Sequence, residues 1–242
     1  MPTLTDALLG PLLGAGGMGP RITYYDDASG ERIEVSTVTL ANWAAKTANL
    51  LRDEMGAGPG SRVAVLLPAH WQTAAVLLGV WWIGAEVVID PRPADPAVPA
   101  DLALCTLDRL AEADDAVNGG EVAVLSLDPF GKPAAGLPIG VTDYATAVRV
   151  HGDQVVPERV PGPALDGRGV GEVLESARRS AERQGLTDRD RVMSDKTWAS
   201  PQELIDNLLA VLAAGASLVQ LSNPDPAALD RRRETEKVTR TL

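Results

Sequence analysis

Arg62-Val63-Ala64-Val65-Leu66-Leu67-Pro68, then a helical stretch from His70 to Ile83, then Gly84-Ala85-Glu86-Val87-Val88-Ile89, decides the fold. Val63 to Leu67 is a continuous apolar run, the pattern of a parallel strand buried on both faces. Pro68 stops it, and Gly84 breaks the helix that follows. Glu86 to Ile89 then reads as the next strand. Strand, helix and strand joined by tight turns form a βαβ unit with a right-handed crossover. The expectation is two adjacent or near-adjacent central strands with the helix on one sheet face.

Working outward, Arg21–Tyr25 and Glu31–Ser36 alternate apolar and polar residues around an Asp27-Ala28-Ser29-Gly30 turn, which predicts a hairpin. A helix from Leu40 to about Met55 follows, with Thr39 as its expected cap and Gly56 as its left-handed stop. Pro91–Pro99 reads as a surface loop. Beyond it come a helix at Leu107–Ala113, a strand at Val122–Leu127 and an irregular stretch at Asp128–Pro138. Residues 157–171, rich in proline and glycine, are the expected lobe boundary or flexible loop. A βα rhythm then resumes: helix Gly171–Gln184, strand Arg191–Ser194, a helix opened by Pro201, strand Leu218–Leu221 and a terminal helix from Pro226. The fold class is α/β, with mostly parallel sheet and flanking helices. Residues 1–20 are expected as a flexible N-terminal arm and residues 21–242 as a single domain.

Composition narrows the function classes. The 242 residues include 22 Lys and Arg against 33 Asp and Glu, a formal charge of −11. Such a surface repels phosphate backbones and anionic lipid, so nucleic-acid and membrane partners are not expected. The single cysteine, Cys105, excludes an internal disulfide and a cysteine-based zinc cluster, and two histidines exclude a multi-histidine metal site. No segment reads as a signal peptide or membrane span, so a cytoplasmic location is the expectation.

Local chemistry is sparse. Gly14–Gly19 lacks the preceding strand and lysine of a phosphate cradle, and Pro133 spoils the helix start after Gly131-Lys132. His70 reads as a helix start and His151-Gly152-Asp153 as a turn. Cys105 reads as core packing, as do Trp43, Trp71, Trp81 and Trp82, with an interface as the alternative for the tryptophans. Because Trp81 and Trp82 point about 100° apart, burying both requires two covered helix faces. Arg231-Arg232-Arg233, with Glu234 and Glu236, reads as a solvated helix face. Lys196 and Trp198 follow strand Arg191–Ser194 at its carboxyl end, where open α/β sheets place ligands, and they form a candidate ligand or partner cleft.

Four segments in order resemble the N-terminal part of the adenylate-forming superfamily, the acyl-CoA synthetases and adenylation domains. They are Gly58–Pro68, Leu78–Val88, Gly185–Val192 and Leu212–Val219. The resemblance implies a Ser/Thr/Gly-rich, lysine-ended phosphate loop just before the helix at Gly171. There the chain reads Pro161-Gly162-Pro163-Ala164-Leu165-Asp166-Gly167-Arg168-Gly169-Val170. Glycines remain and Arg168 stands near the lysine's place. No hydroxyl is present, and Asp166 brings a negative charge where triphosphate would lie. The residues up to Leu242 also lack the family's later adenine, magnesium, ribose and C-terminal lysine motifs. The resemblance therefore implies a truncated, degenerate relative with Asp166, Gly167, Arg168 and Gly169 at a degenerate phosphate-loop position.

The expected function is a non-catalytic binding or interaction module with no catalytic, cofactor-binding or metal residues. The alternative is an adenylate-forming ligase that activates a carboxylic acid with ATP and Mg. An unrelated hydrolase or transferase has no motif behind it. A homodimer or a dedicated protein partner is expected, docking on apolar area at Lys196–Pro201 and along the helix from Pro201 to Ala214.

Overall fold

The computed structural model describes residues 2–16, 19–89 and 99–242. The elements are α1 (Leu4–Gly14), β1 (Pro20–Asp26), β2 (Glu31–Ser36), α2 (Thr37–Asp53), β3 (Arg62–Leu66), α3 (Trp71–Trp82), β4 (Glu86–Val88), β5 (Leu102–Cys105), α4 (Leu110–Val117), β6 (Glu121–Val124), β7 (Thr142–Asp143) and α5 (Tyr144–Ala147). They continue with α6 (Val170–Gln184), β8 (Arg191–Ser194), α7 (Pro201–Leu204), α8 (Ala210–Ala213), β9 (Ser217–Ser222), α9 (Leu229–Thr235) and β10 (Arg240–Thr241). A π-helical turn at Ile205–Leu209 joins α7 to α8 as one run.

Among the described residues the strands make two five-stranded sheets. One has the order β10-β8-β9-β1-β2, parallel except for the β1–β2 hairpin. The other, β4-β3-β5-β6-β7, is parallel throughout. The chain thus leaves the first sheet after β2, builds the second, and returns at β8. The βαβ unit is present, with β3 and β4 adjacent in register Val63↔Val87 and α3 buried. One correction applies: β4 is the edge strand, because β5 takes the other side of β3.

Alternation along β3 explains its unbroken hydrophobicity. Val63 and Val65 face the principal core, which gathers side chains from both sheets and from α1, α2, α3, α6 and the α7–α8 run. Ala64 and Leu66 face a second cluster closed by Ala113 and Val117 of α4. Both faces are dry, so no polar alternation survives. Cys105 lies in β5 within that second cluster, and burial pushes its thiol up to about 11. It is a packing residue.

Several local expectations change. The expected arm is helix α1, capped by Thr3 and Asp6, with Leu4, Leu8 and Leu9 buried against the core. Its apolar side chains gain more from burial than the glycines around it lose in chain entropy. Ser36, not Thr39, caps α2: its side-chain oxygen accepts from the Thr39 N–H at 3.1 Å. Gly56 does adopt the left-handed conformation, at φ 67°. The predicted Pro91–Pro99 loop falls, up to residue 98, outside the described residues. Trp81 is buried and donates its indole N–H to the Ala164 carbonyl at 2.8 Å. Trp82 is half-buried and donates to Asp6 of α1 at 2.8 Å. Two covered faces are therefore realised.

The last helix is not simply solvated. Arg232 and Glu236 are both buried. Arg232 pairs with Asp27 at 2.6 Å and lies over the Tyr25 ring, 4.1 Å from its centroid. Glu236 accepts from the Tyr25 hydroxyl at 2.5 Å and from Arg32 at 2.9 Å, and also pairs with Arg191. These contacts bind the C-terminal segment to β1, β2 and β8.

Candidate functional site

The loop expected at the phosphate position is built as part of the sheet edge. Gly162 donates to Gly84 O at 2.9 Å, Ala164 O accepts from the Val87 N–H at 2.9 Å, and Leu165 bridges Val87 in parallel register. The chain then reverses. Asp166 and Gly167 sit at φ 51° and 71°, the backbone of a two-residue type I′ turn, and Leu165 and Arg168 exchange hydrogen bonds across it at 3.3 and 3.0 Å.

Three consecutive N–H groups, from Gly167 to Gly169, are already engaged. Gly167 N–H meets the Glu86 carboxylate at 2.5 Å, and Gly169 N–H meets Glu172 at 2.8 Å at the start of α6. Arg168 N–H closes the turn. An anion-binding loop must offer N–H groups without a carboxylate on them. Here Glu86 is buried, with Arg62 at 3.5 Å on its other oxygen. A phosphate would have to displace a buried, paired carboxylate to reach Gly167. The residues present do not fit triphosphate, and no step through ATP or magnesium follows from them.

Tight glycine packing keeps the loop there. A Cβ on Gly162 would lie 2.7 Å from Gly60 N and 3.3 Å from Gly84 O, both backbone atoms that cannot rotate away. Replacing Gly162 with Ala is expected to cost about 1–3 kcal/mol, since the strand edge must shift. Urea unfolding of the variant measures it, and an unchanged midpoint would show that the loop is not seated as described.

The opposite rim holds a cavity of about 550 Å³. It opens at the carboxyl ends of β3, β5, β8 and β9, the position at which α/β sheets place ligands. Lys196 and Trp198 both line it, together with Thr106, Arg109, Gln220 and Asn223. None of residues 161–170 does. The structure therefore brings Lys196 and Trp198 together and leaves Asp166, Gly167, Arg168 and Gly169 at the amino end of β4, beside Glu86.

The segment after β8 is firmly held. Glu203 accepts from the Thr197 hydroxyl at 2.6 Å and the Ala199 N–H at 2.9 Å, and Asn207 donates to Thr197 O at 2.9 Å. That fastening turns Trp198 inward to 2% exposure. Its indole N–H has no hydrogen-bond partner, nor has Gln220 Oε1, while Gln220 Nε2 donates to Lys196 O at 3.1 Å. Lys196 itself is exposed, with Asp195 at 3.7 Å, and Arg109 is held by Glu112 at 2.6 Å. The crevice wall thus carries an unpaired donor and an unpaired acceptor among mixed polar and apolar residues. Its lining includes Lys196 and the hydroxyls of Thr106, Thr197 and Ser222, but no histidine that could activate them as a general base. Among the described residues no group of three or more His, Cys, Asp or Glu could hold a metal ion.

The face expected to dock a partner is also different. Leu204, Ile205 and Leu208 to Leu212 are buried in the principal core, and the outward positions carry Gln202, Glu203, Asp206 and Asn207. The apolar area predicted there is used internally.

One pair escaped the sequence reading. His70 caps α3 by accepting the Gln72 N–H on Nδ1 at 3.1 Å, which leaves the proton on Nε2. Nε2 faces Glu31 Oε1 at 3.6 Å, both atoms are buried without a hydrogen-bond partner, and Tyr24 packs edge-on against the imidazole at 4.3 Å. Glu31 opens β2 and His70 caps α3, and the two share no local motif.

This architecture defines the chain as having the fold of roughly half an acyl-CoA synthetase. It superposes on the acyl-CoA synthetase of Brucella canis with TM-score 0.79 and 19% identity, covering 99% of this chain and 46% of that one. For the acetoacetyl-CoA synthetase of Streptomyces lividans the values are 0.77 and 19%, over 99% and 42%. For a benzoate CoA ligase from Burkholderia xenovorans LB400 they are 0.73 and 15%, over 100% and 50%. The chain spans about half the length of these structures. No family model matches it. It belongs to the TIGR03089 family: a member of that family from Mycobacterium tuberculosis (strain ATCC 25618 / H37Rv) is 68% identical over 244 residues, covering 99% of this chain and 98% of that protein. Among the described residues no helix is long and apolar enough to cross a membrane.

Proposed function

We propose that this chain is a non-catalytic binding module that keeps an acyl-CoA synthetase-like fold without its nucleotide chemistry. The supporting observation is the Glu86 carboxylate on the Gly167 N–H, where the fold's enzymes are expected to receive phosphate. Catalysis of nucleotidyl transfer rests on positioned donors and cations, and the loss of one such donor typically lowers rate by about 10²–10³. Here the hydroxyls are absent, and the N–H groups of Gly167, Arg168 and Gly169 are engaged by protein acceptors. What the module binds is a small organic molecule in the crevice beside Trp198. The unpartnered Trp198 N–H and Gln220 Oε1 favour a ligand with both an acceptor and a donor. We assign it to the cytoplasm, and a buried, unpaired thiol at Cys105 suits a reducing compartment.

Calorimetric titration of the intact chain with Mg-ATP tests the nucleotide side of this reading. The expected outcome is no saturable heat at millimolar nucleotide. Saturable binding that disappears on Arg168→Ala would overturn it in favour of an ATP-using ligase.

A further inference from the structure

A second cavity, of about 180 Å³, lies between α2, the start of α3, the loop after β6 and α5, and it shares no lining residue with the crevice. Trp43 and Trp71 form one wall, meeting edge to face with centroids 5.8 Å apart. Tyr144, Val148 and Phe130 complete it. An apolar cavity of roughly 150 Å³ is enough to hold a benzene ring.

The rim is built. Asp128 Oδ1 accepts the N–H groups of Phe130 at 2.8 Å and Lys132 at 3.2 Å, while Gln72 donates to Asp128 O at 3.1 Å. Arg149 donates to the carbonyls of Phe130 and Gly131 from the other side. Gly131 is left-handed at φ 67°, and a Cβ there would lie 2.8 Å from the guanidinium. These contacts fasten a short loop from both flanks. The result is that the chain's single phenylalanine stands 81% exposed at the mouth of an aromatic-walled cavity.

Polar groups at the cavity set the ligand's chemistry. Tyr144 spends its hydroxyl on Thr47 at 2.7 Å. Trp71 is 6% exposed and its indole N–H has no partner. One Asp128 oxygen is committed to two backbone donors, and the Arg149 guanidinium at the rim disfavours a cation. The unmet need is for an acceptor on a flat apolar body. We propose that this cavity is a binding site for a small, single-ring aromatic compound carrying a carbonyl-type acceptor. The ring lies among Trp43, Trp71 and Phe130, and the acceptor takes the Trp71 N–H.

Fluorine NMR titration of the intact chain, with 4-fluoroacetophenone and acceptor-free 4-fluorotoluene as probes, tests the site. Both are expected to bind saturably, the ketone about 2–10-fold tighter, the worth of one hydrogen bond. Trp71→Phe, which keeps the aromatic wall, should erase that preference. Phe130→Ala, at an exposed position that does not endanger folding, should weaken both probes. Ile139→Ala, at an exposed position that lines neither cavity, should leave both unchanged. Absence of saturable binding overturns the proposal, and so does binding indifferent to Trp71→Phe and Phe130→Ala. Loss of binding in Ile139→Ala would also overturn it, by showing that the probes do not sit in this cavity. Because none of these readouts involves nucleotide, the proposal stands or falls separately from the non-catalytic reading.

Discussion

Replacement of Trp81 by alanine is expected to lower the unfolding free energy by about 3–5 kcal/mol, the range for a large aromatic removed from a packed core. Trp81 is 2% exposed on α3, and its N–H is bonded to Ala164 O, so it ties the helix to the loop that lines β4. Loss of both packing and tether should loosen residues 161–169 before the rest of the chain. Hydrogen exchange locates that effect: the amides of Val87 and Gly167 should lose protection more than those of β9. Trp81→Phe separates the two contributions in part, since it keeps one packed aromatic ring and removes the hydrogen bond together with the indole's second ring. Chemical denaturation of the two variants should rank Phe well above Ala. Equal losses would mean that the hydrogen bond and the second ring, not the ring that remains, carry the contact.

Acid sensitivity of the C-terminal segment is the second large effect. Burial alone would push the Glu236 carboxyl up. Hydrogen bonds from Tyr25, Arg191 and Arg32 outweigh burial and hold it down, from 4.5 to about 2. A depressed carboxyl stabilises the folded chain above its unfolded value, and the stabilisation is lost as pH falls through the folded value. The window is therefore about pH 4.5 down to 2, and the contribution is on the order of 3 kcal/mol. Glu236→Gln keeps the shape and removes the charge. At pH 7 it should be less stable by a similar amount, and its stability should fall less steeply between pH 5 and 3. Parallel slopes for the two proteins in urea unfolding across that range would refute the linkage.

The elements read well from sequence were those whose signal is local. The run Val63–Leu67 with Pro68 and Gly84 as punctuation gave β3, α3 and β4, because a strand buried on both faces needs nothing from afar to be recognised. The strand β5 was missed for a related reason. Leu102-Ala103-Leu104-Cys105 is equally apolar but only four residues long, and without alternation or a following turn it gives no period. Helix α1 was hidden by the glycines after it and by Pro11 inside it, and its burial depends on α3 and α6, which no local window contains.

The site was legible in part. The position of Lys196 and Trp198 beside the crevice follows from sequence, because both come directly after a parallel strand, whose carboxyl end is a general ligand position. The Asp166-Gly167 turn carries a local signal, since Asp-Gly is a preferred dipeptide for a type I′ reversal, whereas the carboxylate on its Gly167 N–H, Glu86, lies 81 residues away in the chain. Glu86 on Gly167, His70 opposite Glu31 and the Glu236 network all join residues distant in sequence. Only the two-sheet topology brings those side chains together.

The central claim is that this chain keeps an acyl-CoA synthetase-like fold without activating carboxylates, and acid-dependent pyrophosphate exchange tests it most directly. The intact chain is incubated with Mg-ATP, labelled pyrophosphate and a panel of acyl and aryl acids. The account predicts exchange no greater than that of a heat-killed control for every acid. Exchange that requires an acid and vanishes on Arg168→Ala would contradict it.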